Sequence, residues 1–165
     1  MLNWDSINKF SCIVTIGGSV ITFIAGIKFH KLKRWIEFKR IKKSVLKKDS
    51  GVLIISVGNN DIENQVKVWL STKKGYKDIP DERILKVEKL GDINPKDIDK
   101  IIHDLRNKKI KLQSKGIHNV HLFASAPVVI GEMIGAELSN NLNVFVYHHN
   151  FKSKNKYELW GKLQR

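Results

Sequence analysis

Val52-Leu53-Ile54-Ile55-Ser56-Val57 is an almost uninterrupted apolar run, and four of its six residues are β-branched. No polar residue alternates through it, so a strand built from it has no solvent face. Strands buried on both faces belong to parallel sheets covered by helices, and these residue types favour the extended backbone. The run therefore predicts an α/β fold.

The residues downstream repeat the pattern. Gly58-Asn59-Asn60-Asp61 is a turn able to cap a helix from Ile62 to about Ser71, with Val66, Trp69 and Leu70 facing inward. Ile84-Leu85-Lys86-Val87 is a second strand. Asn94-Pro95 opens a helix whose stripe is Ile98, Ile101, Ile102 and Leu105. Val120-His121-Leu122-Phe123-Ala124 is a third strand, and Ser125 is placed to cap a helix from Pro127 to about Leu138. Asn143 to His148 form a fourth strand, and Lys156 to Trp160 an antiparallel edge strand. Short links between alternating strands and helices predict one Rossmann-like domain with a mostly parallel sheet over residues 51–165.

Upstream the chain changes character. Phe10 to Ile27 carry no charge, and as a helix they extend about 27 Å, enough to cross the hydrocarbon core. Residues 28–48 then hold ten Lys/Arg against Glu37 alone. A cleaved signal peptide places its basic region first, the reverse of this order, and a buried core helix is the other alternative. The expectation is a transmembrane anchor over residues 1–29 and a basic juxtamembrane amphipathic helix or linker over 30–50. The basic flank keeps the carboxyl domain in the cytoplasm of a single-pass inner-membrane protein. Small residues recur at helical spacing in the span (Gly18, Thr22, Gly26; Ser11, Thr15, Ser19), a pattern that lets spans associate.

The net charge of +14 lies mostly in that juxtamembrane stretch, where anionic lipid accounts for it without DNA or an RNA duplex as partner. Cys12 is the single cysteine and lies inside the apolar run, so the chain has neither an internal disulfide nor a cysteine zinc site.

Ligands of open α/β sheets lie beyond the carboxyl ends of the strands. Three of those ends carry small or polar residues: Ser56-Val57-Gly58-Asn59-Asn60, Ala124-Ser125-Ala126-Pro127, and Tyr147-His148-His149-Asn150. The helix after Pro127 directs its amino end, with unpaired N–H groups, to the same edge, which suits phosphate. Taken alone, each loop is better explained by ordinary turn and cap chemistry, in which Ser, Asn and Gly dominate for structural reasons. The dinucleotide fingerprint is missing: Gly131-Glu132-Met133-Ile134-Gly135 falls inside a helix, where its glycines are expected to let the helix pack closely on the sheet. No cofactor is expected. His118 and His121 fall near a strand start and His148 and His149 near a strand end, so they converge on no metal. Ser125 is flanked by alanines and lacks the nucleophile-elbow glycines.

Val120-His121-Leu122-Phe123-Ala124-Ser125-Ala126-Pro127, a small-residue helix with Gly135, Val144-Phe145-Val146-Tyr147-His148-His149 and Tyr157-Glu158-Leu159 together resemble the end of SAVED domains, relatives of the CARF sensors. The resemblance spans about residues 52–163. It implies a sensor of cyclic oligonucleotides in CBASS or type III CRISPR antiviral defence, with the ligand over the strand ends, and it carries Ser125, Ala126, Pro127, Gly58 and Asn59 over as ligand positions. SAVED domains hold two CARF-like units in one chain, whereas this chain has room for one, so it is expected either to complete its site with a second copy or to belong to a neighbouring CARF-like membrane effector family. The expected ligand-binding set is Ser56, Gly58, Asn59, Asn60, Ala124, Ser125, Ala126, Pro127, Tyr147 and His148. The expected partners are a cyclic tri- or tetra-adenylate, the lipid membrane and further copies of the chain, with lysines and helix N–H groups on the phosphates and Asn59 and Tyr147 on the bases. No catalysis is expected; a ring nuclease and a lipid-bound scaffold are the alternatives.

Overall fold

The structure, a computed structural model, describes residues 29, 31–33, 35–36, 38–39, 49–140, 142–153 and 156–163. The expected span at Phe10–Ile27 lies outside the described residues. Among those described, no helix is long and apolar enough to cross a membrane. The chain divides into two compact units, Met1–Arg40 and Ile41–Arg165. In the first, the described residues are helical, and the Lys39 ammonium sits 3.7 Å from the centroid of the Trp35 ring.

The second unit is a five-stranded sheet in the order β2-β1-β3-β4-β5. Its strands are β1 (Ser50–Gly58), β2 (Ile84–Leu90), β3 (Asn119–Ser125), β4 (Asn143–His149) and β5 (Tyr157–Lys162). The first four are parallel, and β5 runs antiparallel along β4 with a register shift at Val146/Tyr147. Three helices connect them: α1 (Glu63–Thr72), α2 (Ile98–Ser114) and α3 (Val128–Leu138). A single 3-10 turn, Pro95–Asp97, precedes α2 and is closed by a reciprocal capping box between Asn94 and Asp97. The α/β class and the antiparallel edge strand expected from the sequence are both present.

The strand period of two divides the core cleanly. Val52, Ile54, Phe123, Phe145 and Tyr147 face α1, where they meet Val66, Trp69 and Leu70. Leu53, Ile55, Val57, Leu122 and Val144 face the opposite way, onto Leu105 of α2 and Ile130, Ile134 and Leu138 of α3. β1 is thus covered on both sides, as its apolar run requires. Its third neighbour is close: a Cβ on Gly51 would lie 2.9 Å from the Leu112 side chain and 3.3 Å from the Arg83 carbonyl. The first residues of β1, Ser50 and Gly51, are therefore inside the sheet.

Gly131 and Gly135 do not serve close packing. A Cβ at either would meet no atom within 4 Å, so the helix approaches the sheet through Ile130, Ile134 and Leu138 instead.

Candidate functional site

From β1 the chain turns to one face of the sheet, through α1 to β2. From β3 it turns to the other face, through α3 to β4. Because β1 and β3 are neighbours, the connections diverge between them and open a crevice at their carboxyl ends.

Two clefts occupy that crevice. On the α1 side, a cleft of about 540 Å³ is lined by Asn59, Asn60, Asp61 and Ile62 of the β1–α1 loop and by Gln65 of α1. Ala124 and Ser125 of β3, His148 and His149 of β4, Phe151 and Tyr157 complete it. On the α3 side, a cleft of about 490 Å³ runs from Gly58 to Asn60, across Gly91, Asp92 and Ile93 after β2, to Ser125, Ala126 and Pro127. Asn59, Asn60 and Ser125 line both.

Eight of the ten expected residues therefore come together here: Gly58, Asn59, Asn60, Ala124, Ser125, Ala126, Pro127 and His148. The other two do not reach a cleft. Ser56 is fully buried; its hydroxyl donates to Asp61 Oδ1 (3.1 Å) and accepts from the Ile62 N–H (3.2 Å). It fixes the loop that carries Asn59 and Asn60. Tyr147 shares the strand face of Phe145, beneath α1, where its ring stacks on Phe123 at 4.5 Å. Its hydroxyl lies 2.8 Å from the Tyr76 hydroxyl and 3.1 Å from His121 Nδ1. Burial pushes the Tyr147 hydroxyl well above the usual tyrosine range, and pushes the His121 imidazole down to about 4. His121 is thus a neutral core residue.

Ser125 ends β3 and does not cap α3. The N-cap is Pro127, whose carbonyl accepts from the Gly131 N–H at 2.9 Å, and no side chain caps the helix. Pro127, the N-cap of α3, lines the α3-side cleft, so the amino end of the helix borders it.

The loop after β1 is held by charge as well. Lys86 of β2 donates to Asp61 Oδ2 at 3.0 Å and pairs with Glu63 at 3.0 Å and Glu88 at 2.8 Å. Burial opposes its ammonium charge, but the hydrogen bonds it donates to Glu88, Glu63 and Asp61 outweigh that and raise its pKa. The Glu63 backbone N–H and then Lys86 hold the Asp61 carboxyl below its ordinary value. Gly58 has φ +104°, a conformation that side chains disfavour, and turns the backbone into the loop.

The described lining of both clefts contains no Lys or Arg, so the lysines expected on the phosphates are not part of it. Backbone N–H groups, amides and hydroxyls are the available partners. Sequence reading missed the loop after β2, Gly91-Asp92-Ile93, and it missed Gln65, Phe151 and Tyr157. The last two carry no local signal, because they meet the cleft only once β5 folds back on β4. Among the described residues, no group of histidine and carboxylate side chains is arranged to hold a metal.

No family model matches the chain, and no curated protein matches it significantly. One solved structure resembles its fold: the Acinetobacter baumannii Cap4 SAVED/CARF-domain containing receptor with the cyclic trinucleotide 3'3'3'-cAAA. The two share 16% sequence identity and superpose with a TM-score of 0.55. The match covers 72% of this chain and 25% of the receptor, so the chain spans about a quarter of the receptor's length. The sheet and helices described above are thus a CARF/SAVED-like fold.

Proposed function

We propose that the carboxyl unit is a sensor that binds a cyclic oligonucleotide across the crevice between β1 and β3. One observation carries this reading: at the point where the sheet's connections diverge, two clefts share Asn59, Asn60 and Ser125, and the amino end of α3 borders one of them. A ring with several phosphates and several bases suits a site with two compartments. The likeness to a receptor of a cyclic trinucleotide supports the same reading. Backbone N–H groups of α3 and of the Gly58 loop meet phosphate; the amides of Asn59 and Asn60 meet sugar and base edges.

In this reading the protein is a binding module and not an enzyme. Residues 10–27 anchor it in the inner membrane with the sensor in the cytoplasm, in antiphage defence. Several copies assemble, and ligand shifts them by binding one arrangement more tightly than the other. Calorimetric titration of the full chain in mild detergent with cyclic di-, tri- and tetra-adenylate tests the site. Saturable heat with at least one ring is expected, and silence with all of them sinks the reading. Chromatography of the recovered ring tests the rest: intact ring is expected, whereas linear product makes the protein a ring nuclease.

A further inference from the structure

Helix α3 is apolar on nearly every side, although only one side is covered. Ile130, Ile134 and Leu138 pack on the sheet. The outer side presents Val128 (77% exposed), Val129 (59%) and Met133 (39%) to solvent. A helix that is apolar all round is normally enclosed by other protein or by lipid. Beside it, between α2 and α3, runs an open groove of about 900 Å³ that shares no residue with either cleft of the crevice. Ile102 of α2 and Met133 and Ala136 of α3 give it an apolar middle. Glu137 bridges the two helices, paired with Arg106 at 3.0 Å and Lys109 at 3.6 Å, and so fixes the spacing of the walls. Lys100 and His103 stand exposed on the α2 wall, with Asp99 beside them. Glu132 stands exposed on α3, with no ion pair among the described residues.

We propose that this surface joins two copies of the chain about a two-fold axis, with α3 of each copy seated against the α2–α3 groove of the other. A two-fold interface uses one patch twice, so the patch must be its own complement. This one is: it holds an apolar ridge (Val129, Met133) beside an apolar slot, and an unpaired carboxylate on one wall beside cations on the other. Both helices cross back between parallel strands, so α2 and α3 run in the same direction. An axis normal to this face turns α3 end for end and carries its Glu132 over the Lys100 wall of the second copy; symmetry makes the same pair again. An apolar centre with a charged rim is the anatomy of a protein interface. Lipid is the wrong cover, because it would take Lys100, Arg106 and Glu132 into hydrocarbon. The chain's own residues 40–48 are wrong too, since five Lys/Arg and no acid among them would meet Lys100 with like charge. The pairing goes beyond the sensor reading and needs no ring.

Cysteine cross-linking of the full chain in mild detergent, with no ring present, tests the pairing apart from the sensor. In a Cys12→Ser background, Met133→Cys places a thiol at the groove. Val68→Cys places a more exposed one (61%) on α1, which covers the opposite face of the sheet. Under mild oxidation, Met133→Cys is expected to give disulfide-linked dimer about tenfold faster than Val68→Cys, since pairing raises the local concentration of one thiol around the other. Adding Glu132→Lys is expected to slow that linkage by about tenfold through like-charge contact with Lys100, and adding Lys100→Glu as well is expected to recover most of the rate. Equal rates from Met133→Cys and Val68→Cys overturn the pairing, because copies held together elsewhere or meeting at random would link both. Linkage unaffected by Glu132→Lys overturns it as well. Ring binding measured separately decides the sensor reading, and neither outcome alters the other.

Discussion

Ser56 and Ser125 are register partners across the parallel ladder between β1 and β3, yet their hydroxyls have opposite uses. Ser56 is fully buried and bonded within the loop that follows it. Ser125 stands half-buried on the ridge between the two clefts. The pair marks the place where the sheet ceases to be core and becomes site.

Ser56→Ala tests the buried half of the pair. Asp61 keeps the Glu63 N–H and Lys86, but the buried Ile62 N–H loses its acceptor. A buried donor left unpaired costs about 1–3 kcal/mol. Urea unfolding is expected to show that loss, and ring binding is expected to weaken with the loosened loop. An unchanged midpoint would mean the hydroxyl holds nothing.

Two glycines should respond with opposite signs. Gly58→Ala forces an L side chain into φ +104°, while the new Cβ has room, its nearest neighbour being Ile93 Cδ1 at 3.9 Å. The cost is therefore backbone strain of about 1–2 kcal/mol. Gly131 sits within α3 with open space around a Cβ, so Gly131→Ala is expected to add about 0.5–1 kcal/mol through helix propensity. Thermal unfolding of both variants checks the pair; equal shifts would contradict the assigned backbone.

His121 gives stability a particular pH dependence. The unfolded imidazole takes up its proton near pH 6.5, whereas burial holds the folded one down to about 4. Between those values the unfolded chain binds the extra proton, so stability falls as the pH drops through that window and levels off below it. At pH 5 the loss relative to pH 7.5 is about 2 kcal/mol. His121→Phe retains the ring packing against Phe145 and leaves Tyr147 bonded to Tyr76, so most of that dependence should vanish. Denaturant titrations of both proteins at pH 5 and 7.5 measure it, and equal slopes with pH would place the neutral histidine in error.

How much of this was legible in sequence follows from strand chemistry. β1 announced itself because helices cover both of its faces, leaving no polar position to interrupt the apolar run. β2 was read only to Val87, because at the sheet edge Lys86, Glu88 and Lys89 break the run. The loop after it, Gly91 to Ile93, consequently went unnoticed as part of the site. Tyr147 and Ser56 were assigned to the ligand from proximity along the chain. The two-residue period was the better guide, since Tyr147 shares parity with buried Phe145, and Ser56 with Val52 and Ile54. Phe151 and Tyr157 were illegible because they meet the cleft only once β5 folds back on β4.

The ridge itself permits the most direct test of the crevice. Ser125 lines both clefts but caps no helix, so its side chain has no structural duty that a substitution would break. Ser125→Ala should leave the unfolding midpoint within about 0.5 kcal/mol of wild type and weaken a ring by less than tenfold, the worth of one hydroxyl contact. Ser125→Tyr projects a ring from the point the clefts share. It should fill both mouths at once and abolish binding, while circular dichroism and the unfolding midpoint stay near those of Ser125→Ala. Because the alanine variant deletes the hydroxyl without adding bulk, the difference between the two isolates occlusion from lost hydrogen bonding. Should Ser125→Tyr bind a cyclic oligonucleotide as tightly as the wild type, the ligand lies somewhere other than between β1 and β3.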